Sequence, residues 1–112
     1  MPPVLLRAIV AALPLVSADA LAEPHMMGLG GQTCGAWTAN PPATSGVGAF
    51  YQQWVLGFLS GVSFADPDHD PLNDSDGAAI TTWLNDYCQQ NPAARLVDAT
   101  TAFVRAHQPT KN

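Results

Sequence analysis

The stretch VGAFYQQWVLGFLSGV at residues 47–62 carries the clearest structural signal in the chain. Its apolar side chains recur at the i, i+3, i+4, i+7 spacing of an amphipathic helix, namely Val47, Phe50, Tyr51, Trp54, Val55, Phe58, Leu59 and Val62. This spacing predicts a helix over about 47–62 with one apolar face. Because glycine is unfavourable inside a helix, Gly57 and Gly61 indicate either close approach of another helix or an early helix end.

Two more helices are predicted downstream of this stretch. The first spans about 77–90, where helical spacing is kept by Ala79, Ile80, Trp83, Leu84, Tyr87 and Cys88. The dipeptide Asn91-Pro92 then offers an N-cap followed by a proline at the first helical position, so we expect the last helix to start there. The apolar stripe of that helix consists of Leu96, Val97, Thr100, Phe103, Val104 and His107.

The rest of the chain fits an all-α fold. A short helical turn is expected around Cys34 and Trp37, a loop follows at 40–48, and no segment alternates like a strand. The predicted fold is a small helical bundle of three main helices plus a short N-terminal helix. A small domain needs large apolar side chains in its core. The expected core aromatic residues are Trp37, Tyr51, Trp54, Phe58, Trp83, Tyr87 and Phe103.

Residues 1–22 have the features of a secretory signal peptide. Arg7 precedes an apolar run, and the small residues that follow allow cleavage after Ala20 or Ala22. The run is shorter than the roughly 20 residues that a membrane-spanning helix needs. We therefore expect a periplasmic or secreted protein with no stable membrane anchor after cleavage. The mature chain would comprise a flexible glycine-rich leader (23–33), a helical domain (34–108) and a tail (109–112).

Export changes the expected chemistry of the two cysteines, Cys34 and Cys88. An oxidising compartment favours their pairing, and one intramolecular disulfide is possible. The bond would close a loop of about 55 residues and stabilise the domain by roughly 4 kcal/mol. Redox or metal chemistry is the alternative, but the two cysteines lie far apart and form no C-x-x-C motif. The disulfide would join the short first helix to the end of helix 77–90.

Net charge narrows the class of partner. The 112 residues carry a formal charge of −5, and 12% of them are charged. We predict no nucleic-acid partner, because this balance provides no basic patch for a phosphate backbone. The acidity is concentrated in FADPDHDPLNDSDG, residues 64–77, which contains five aspartates and shows no helix or strand pattern.

This acidic segment has two alternative roles, as a calcium site or as a solvated loop. A calcium-binding template that starts at Asp66 would place Pro71 where glycine is required and Gly77 where a bidentate glutamate is required. We therefore favour a solvated loop that caps the next helix and predict no metal and no cofactor, with metal binding kept as a further hypothesis. The candidate capping residues are Asp74, Ser75 and Asp76.

No catalytic motif is recognisable. The three histidines, His25, His69 and His107, cannot be paired with a nucleophile from their spacing, so we predict that the protein is not an enzyme. Loops held by a rigid scaffold commonly carry the residues that recognise a partner. The candidate partner-binding residues are Asp66, Asp68, His69, Asp70, Asp74 and Asp76.

Several motifs resemble those of small exported bacterial helical proteins. They are CGAW at 34–37, YQQWVLGFLSG at 51–61, WLNDYC at 83–88 and Asn91-Pro92, followed by Ala99 and Phe103. The pattern is similar to that of the Tai/Rap-type immunity proteins of type VI secretion, and more distantly to that of the HdeA/HdeB acid-stress chaperones. The resemblance covers roughly residues 34–105, and both families are periplasmic, helical and disulfide-bonded.

The two resemblances imply different functions. Resemblance to the immunity proteins implies binding and blocking of a cell-wall-degrading toxin, usually a peptidoglycan amidase, as a homodimer or a heteromer. An acidic loop suits the basic rim of such an enzyme. Resemblance to the chaperones implies that acid loosens the fold and exposes aromatic faces to unfolding client proteins.

Overall fold

The structure, a computed structural model, describes residues 24–108. Four helices follow one another along the chain: α1 (Cys34–Ala39), α2 (Gly46–Ala65), α3 (Gly77–Gln90) and α4 (Leu96–Ala106). Within the described range there is no β-strand, only one isolated bridge between Thr33 and Arg95. The predicted bundle of three main helices plus a short N-terminal helix is thereby confirmed. The predicted signal peptide and the tail at 109–112 lie outside the described residues.

Helix α4 lies at the centre of the bundle. It contacts α1, α2 and α3 as well as a 3₁₀ turn at Gly28–Gly31. More than half of its length is buried, at Leu96, Val97, Ala99, Thr100, Phe103 and Val104. The buried hydroxyl of Thr100 donates a hydrogen bond to the carbonyl of Leu96 at 2.8 Å, so this polar side chain of the core is satisfied.

Polar side chains fix the starts of the first three helices. Thr33, Ser45 and Asp76 each precede a helix and accept a hydrogen bond from the backbone N–H three residues ahead. These N-caps satisfy backbone donors that a helix leaves unpaired at its start. The start of α3 therefore coincides with the prediction, and the expected capping by the acidic segment is confirmed at Asp76.

Helix α2 differs from its prediction in its length and in which residues lie on its buried face. It continues to Ala65, and a Cβ atom added at Gly57 or Gly61 would meet nothing within 4 Å. Neither glycine ends the helix or allows close approach of another described helix, so both expectations for them are wrong. Val47 and Phe50 were assigned to the apolar face, yet they are exposed, because the core lies on the side of Tyr51, Val55 and Leu59.

The last helix starts later than the Asn91-Pro92 prediction. Asn91 instead ends α3, where its side-chain amide donates to the carbonyl of Tyr87 at 2.9 Å. The carbonyls of Pro92 and Ala94 accept hydrogen bonds from the backbone N–H groups of Gly35 and Cys34. Residues 92–95 must therefore stay outside a helix, because they satisfy the free donors at the start of α1.

The glycine-rich leader is packed rather than loose at its C-terminal part. Within the 3₁₀ turn, Gly30 is buried against the indole of Trp54. The Trp54 Nε1–H donates to the carbonyl of Met27 at 3.0 Å, and the carbonyl of Gln32 accepts from the Leu96 N–H at 2.7 Å. The expectation of a flexible leader thus differs from the structure, because a missing side chain at Gly30 lets the turn lie on α2.

The seven aromatic residues expected in the core divide into two groups. Trp37, Tyr51 and Phe103 are buried, and the Trp37 Nε1–H donates to Asn85 Oδ1 at 2.8 Å. The other four are half-buried and pack against the edge of the core, namely Trp54, Phe58, Trp83 and Tyr87. A domain of this size places large rings at the boundary between core and solvent because its interior is small.

Cys34 and Cys88 form the predicted disulfide. Their Cα atoms lie 4.8 Å apart, and both residues are buried. The bond joins the first residue of α1 to the last turn of α3, as the sequence predicted.

Loss of the disulfide should destabilise the fold strongly. We expect the double variant Cys34→Ser/Cys88→Ser to lose about 4 kcal/mol of unfolding free energy, because the unfolded chain regains the freedom of a loop of about 55 residues. Urea unfolding of the oxidised protein, the reduced protein and the variant measures this loss. The reduced protein should match the variant, and two free thiols in the protein as purified without reductant would contradict the predicted bond.

Substitution of Gly30 tests the packing of the leader. A Cβ atom in Gly30→Ala would overlap the ring of Trp54, and we expect a loss of about 2 kcal/mol from this overpacking. Gly31→Ala is the matched control, since a Cβ there meets nothing within 4 Å. Thermal unfolding measures the effect. Equal melting temperatures for the two variants would show that the leader does not pack on α2.

The start of α4 should be sensitive to acid. Partial burial alone would raise the pKa of Asp98, but hydrogen bonds from the side chain and backbone N–H of Arg95, together with the Arg95 charge, lower that pKa below 3.8. A lowered pKa gives stabilisation that is complete above 3.8 and is lost as the pH falls through the lower value. Because both side chains are nearly half exposed, we expect Asp98→Asn to cost only about 0.5 kcal/mol at neutral pH.

Urea unfolding of wild type and Asp98→Asn at several pH values checks this prediction. The difference between the two proteins should disappear at acidic pH below the lowered pKa, while Asp86→Asn, a change at an exposed carboxylate on α3, serves as the control. A difference that stays constant from neutral to strongly acidic pH would contradict the assignment.

Candidate functional site

The acidic segment forms an ordered loop between α2 and α3, here called the aspartate loop (residues 66–76). It starts with a 3₁₀ turn at Pro67–His69. Pro71 is fully buried and Leu72 packs against the core, so the middle of the loop is anchored to the bundle. The loop is therefore held in a fixed position while much of its length stays exposed.

Several carboxylates hold the loop in shape. Asp66 Oδ2 lies 2.9 Å from His69 Nδ1, and Asp70 Oδ1 accepts a hydrogen bond from the Leu72 N–H at 2.8 Å. Asp76 caps α3. Asp74 has a positive φ of 61°, in the left-handed region that aspartate tolerates better than most residues. These aspartates thus have local structural roles as well as a surface position.

The six predicted partner-binding residues all lie in this loop, but they are not equally accessible. Exposed positions are Asp66, Asp68, Asp74 and Asp76. His69 and Asp70 are half-buried. Within residues 24–108, no three histidine, cysteine, aspartate or glutamate side chains are arranged so that they could hold a metal ion.

Of the three histidines, His25 is exposed ahead of the 3₁₀ turn, and His69 and His107 each contact an oxygen atom of the protein. His69 pairs with a carboxylate, and His107 Nδ1 lies 2.9 Å from the carbonyl of Phe103. The His107 ring stacks on Phe103 with 3.9 Å between centroids, and Trp83 meets both rings edge-on. These contacts explain why the apolar stripe of α4 extends to a histidine: the imidazole closes an aromatic cluster between α3 and α4.

A surface that the sequence analysis missed runs along the outer side of α2. We call it the outward face of α2; its residues are Gly46, Phe50, Gln53, Gly57, Ser60 and Phe64, all exposed. Phe50 is 69% exposed and Phe64 is 90% exposed. The sequence did contain a signal for this surface. Apolar residues occur around more of the helix than one buried face needs, and phenylalanines lie on two sides of it.

A groove of about 450 Å³ lies between the loop after α1 and the helices α2 and α3. It is lined by Pro41, Pro42, Ala43, Gln52, Ala78, Thr81, Thr82 and Asn85. The amide of Gln52 donates to the Thr81 hydroxyl at 2.9 Å, which ties the two helices together beneath the groove. The lining offers hydroxyl and amide groups but no ionisable side chain to bind a charged ligand.

The α-helices of residues 24–108 include none that is both long and apolar enough to cross a bilayer. Comparison with protein-family models, with curated proteins and with solved structures yields no match to this chain. The argument for function therefore depends on the chain's own surfaces.

Proposed function

We propose that this chain is an exported, non-enzymatic protein-binding module that neutralises a cell-wall-degrading toxin. The anchored aspartate loop carries the proposal. Its exposed carboxylates sit on a segment held by the buried Pro71, so they present negative charge without the entropy loss of ordering a free loop on binding.

The charge distribution favours a basic partner. No charged side chain occurs between Met26 and Ala65, and five aspartates follow within eleven residues. Such a local negative field accelerates encounter with a basic surface and disfavours acidic ones. A toxin with a basic rim around its active site would have the complementary charge, and a loop bound across that rim would exclude substrate.

Two further observations support the remaining parts of the proposal. The buried disulfide is consistent with an oxidising compartment such as the periplasm. The side chains of His69 and His107 contact a carboxylate and a carbonyl oxygen rather than a hydroxyl or thiol nucleophile, which favours binding over catalysis.

Neutralisation of the loop should slow partner binding. We expect Asp68→Asn/Asp74→Asn to lower the association rate constant several-fold at low salt, with a smaller salt dependence than wild type. Asp66, Asp70 and Asp76 are kept, because Asp66 and Asp70 shape the loop and Asp76 caps α3. The measurement is surface plasmon resonance against an exported amidase encoded in a neighbouring reading frame, combined with protection of cells that express that amidase in the periplasm.

Asp86→Asn is the control, because it removes an exposed charge from α3 and leaves the aspartate loop intact. Recovery of bound proteins from periplasmic extract separates the proposal from its alternative. One stoichiometric partner at neutral pH supports toxin neutralisation. Binding of many proteins only at about pH 2–3, where carboxylates are protonated, would favour an acid-stress chaperone instead.

A further inference from the structure

The aspartate loop contains two Asp-Pro peptide bonds, Asp66-Pro67 and Asp70-Pro71. An aspartate carboxylate can close a five-membered ring on its own carbonyl carbon, because Cα and Cβ join the two groups. The usual competing reaction is attack of the next backbone nitrogen on the side chain, and proline cannot undergo it because it has no N–H. An Asp-Pro bond is therefore a place where aspartate can act as an intramolecular nucleophile.

His69 holds the carboxylate of Asp66 beside the first of these bonds. The His69 Nδ1 atom lies 2.9 Å from Asp66 Oδ2, and Nδ1 carries the hydrogen because a carboxylate only accepts. The backbone N–H of His69 donates to the carbonyl oxygen of Asp66 at 3.1 Å. The carboxylate and the carbonyl of Asp66 thus both face His69, which keeps the nucleophile close to its target carbon.

The same contacts favour the bond-breaking step. The Asp66 carbonyl belongs to the peptide bond that would break, and the His69 N–H stabilises the negative charge that develops on its oxygen. Because Oδ2 is held by the imidazole, Oδ1 is the oxygen that attacks. Asp66 and Pro67 are both exposed, so water reaches the bond.

The second bond, Asp70-Pro71, has different surroundings. Its carbonyl also accepts a hydrogen bond, from the Asn73 N–H at 3.2 Å. However, Asp70 Oδ1 accepts from the Leu72 N–H, which holds the carboxylate toward a residue beyond the proline, and Pro71 is fully buried. The two bonds share a dipeptide and a loop, so their comparison separates the effect of the structure from that of the sequence.

We propose that Asp66-Pro67 is a self-cleavage site in which His69 is a positioning residue. Asp66 Oδ1 forms a bond to the Asp66 carbonyl carbon, the bond from that carbon to the Pro67 nitrogen breaks, and the nitrogen takes a proton from solvent. The product is a cyclic anhydride at Asp66 and a free secondary amine at Pro67. Water then opens the anhydride to two carboxyl groups, so the net reaction is hydrolysis of one peptide bond.

Cleavage at this bond would open the loop without separating the two pieces. The disulfide between Cys34 and Cys88 spans the site, so both pieces stay covalently joined. The buried Pro71 and the Asp76 cap still anchor the rest of the loop. The reaction modifies the chain once and needs no partner, so its test does not depend on the proposed toxin binding.

Mass spectrometry of the purified oxidised chain tests the proposal. During incubation for several days at about pH 5, where aspartate is ordinarily ionised, the unreduced chain should gain the mass of one water molecule. Reduction should then release two fragments, one ending at Asp66 and one starting at Pro67. We expect cleavage here to be at least about tenfold faster than at Asp70-Pro71 in the folded chain, and the two rates should become similar in urea.

Variants separate the role of each group. Asp66→Glu keeps the charge but requires a six-membered ring, and His69→Ala removes the contact to the carboxylate. Each should slow cleavage about tenfold or more. His69→Asn should restore most of the rate, because its amide nitrogen can take the place of Nδ1. Circular dichroism checks that each variant remains folded.

Three results would overturn the proposal. The first is a folded wild-type chain that stays whole over the incubation. The second is equal cleavage of the folded chain at both Asp-Pro bonds. The third is a folded His69→Ala variant that is cleaved as fast as wild type, which would remove the positioning role of the imidazole.

Discussion

Three backbone hydrogen bonds join two segments that are about sixty residues apart and determine where two helices begin. The N–H groups of Cys34 and Gly35 donate to the carbonyls of Ala94 and Pro92, and the Leu96 N–H donates to Gln32. Each bond satisfies a donor at the first turn of a helix. The junction thereby fixes the direction of α4, and the other helices pack around that central element. The disulfide adds a covalent link beside it, at the first residue of α1.

The junction also explains which features could be predicted from sequence. Helix α3 has an aspartate N-cap at its start and an apolar stripe of helical period along its length. Its bounds therefore follow from the sequence. The start of α4 does not, because Asn91-Pro92 has the local signals of a helix start while its backbone is bound by a distant segment. The position of Gly30 beneath Trp54 is likewise set by tertiary contact, which composition does not encode.

Helix α2 shows a second limit of sequence patterns. Periodicity correctly indicated a helix, but it assigned Val47 and Phe50 to the same apolar face as Tyr51 and Val55. An apolar residue has the same pattern whether it faces the interior of its own chain or a second molecule.

The aspartate loop was located from composition, yet its anchoring by Pro71 required the structure. Charge is thus divided along the chain: a long neutral part builds and flanks α2, and a short acidic part follows it.

Because the disulfide is buried, its survival in the folded protein depends on the stability of the fold as well as on the redox conditions around it. Both cysteines are almost completely inaccessible, so a thiolate in solution cannot reach either sulfur in the folded state. Exchange requires prior opening of the bundle between α1 and α3, and the rate of that opening limits the rate of reduction. The same burial would shield the thiols of a folded, reduced chain from a disulfide oxidant, so oxidation by thiol–disulfide exchange also requires opening of the bundle.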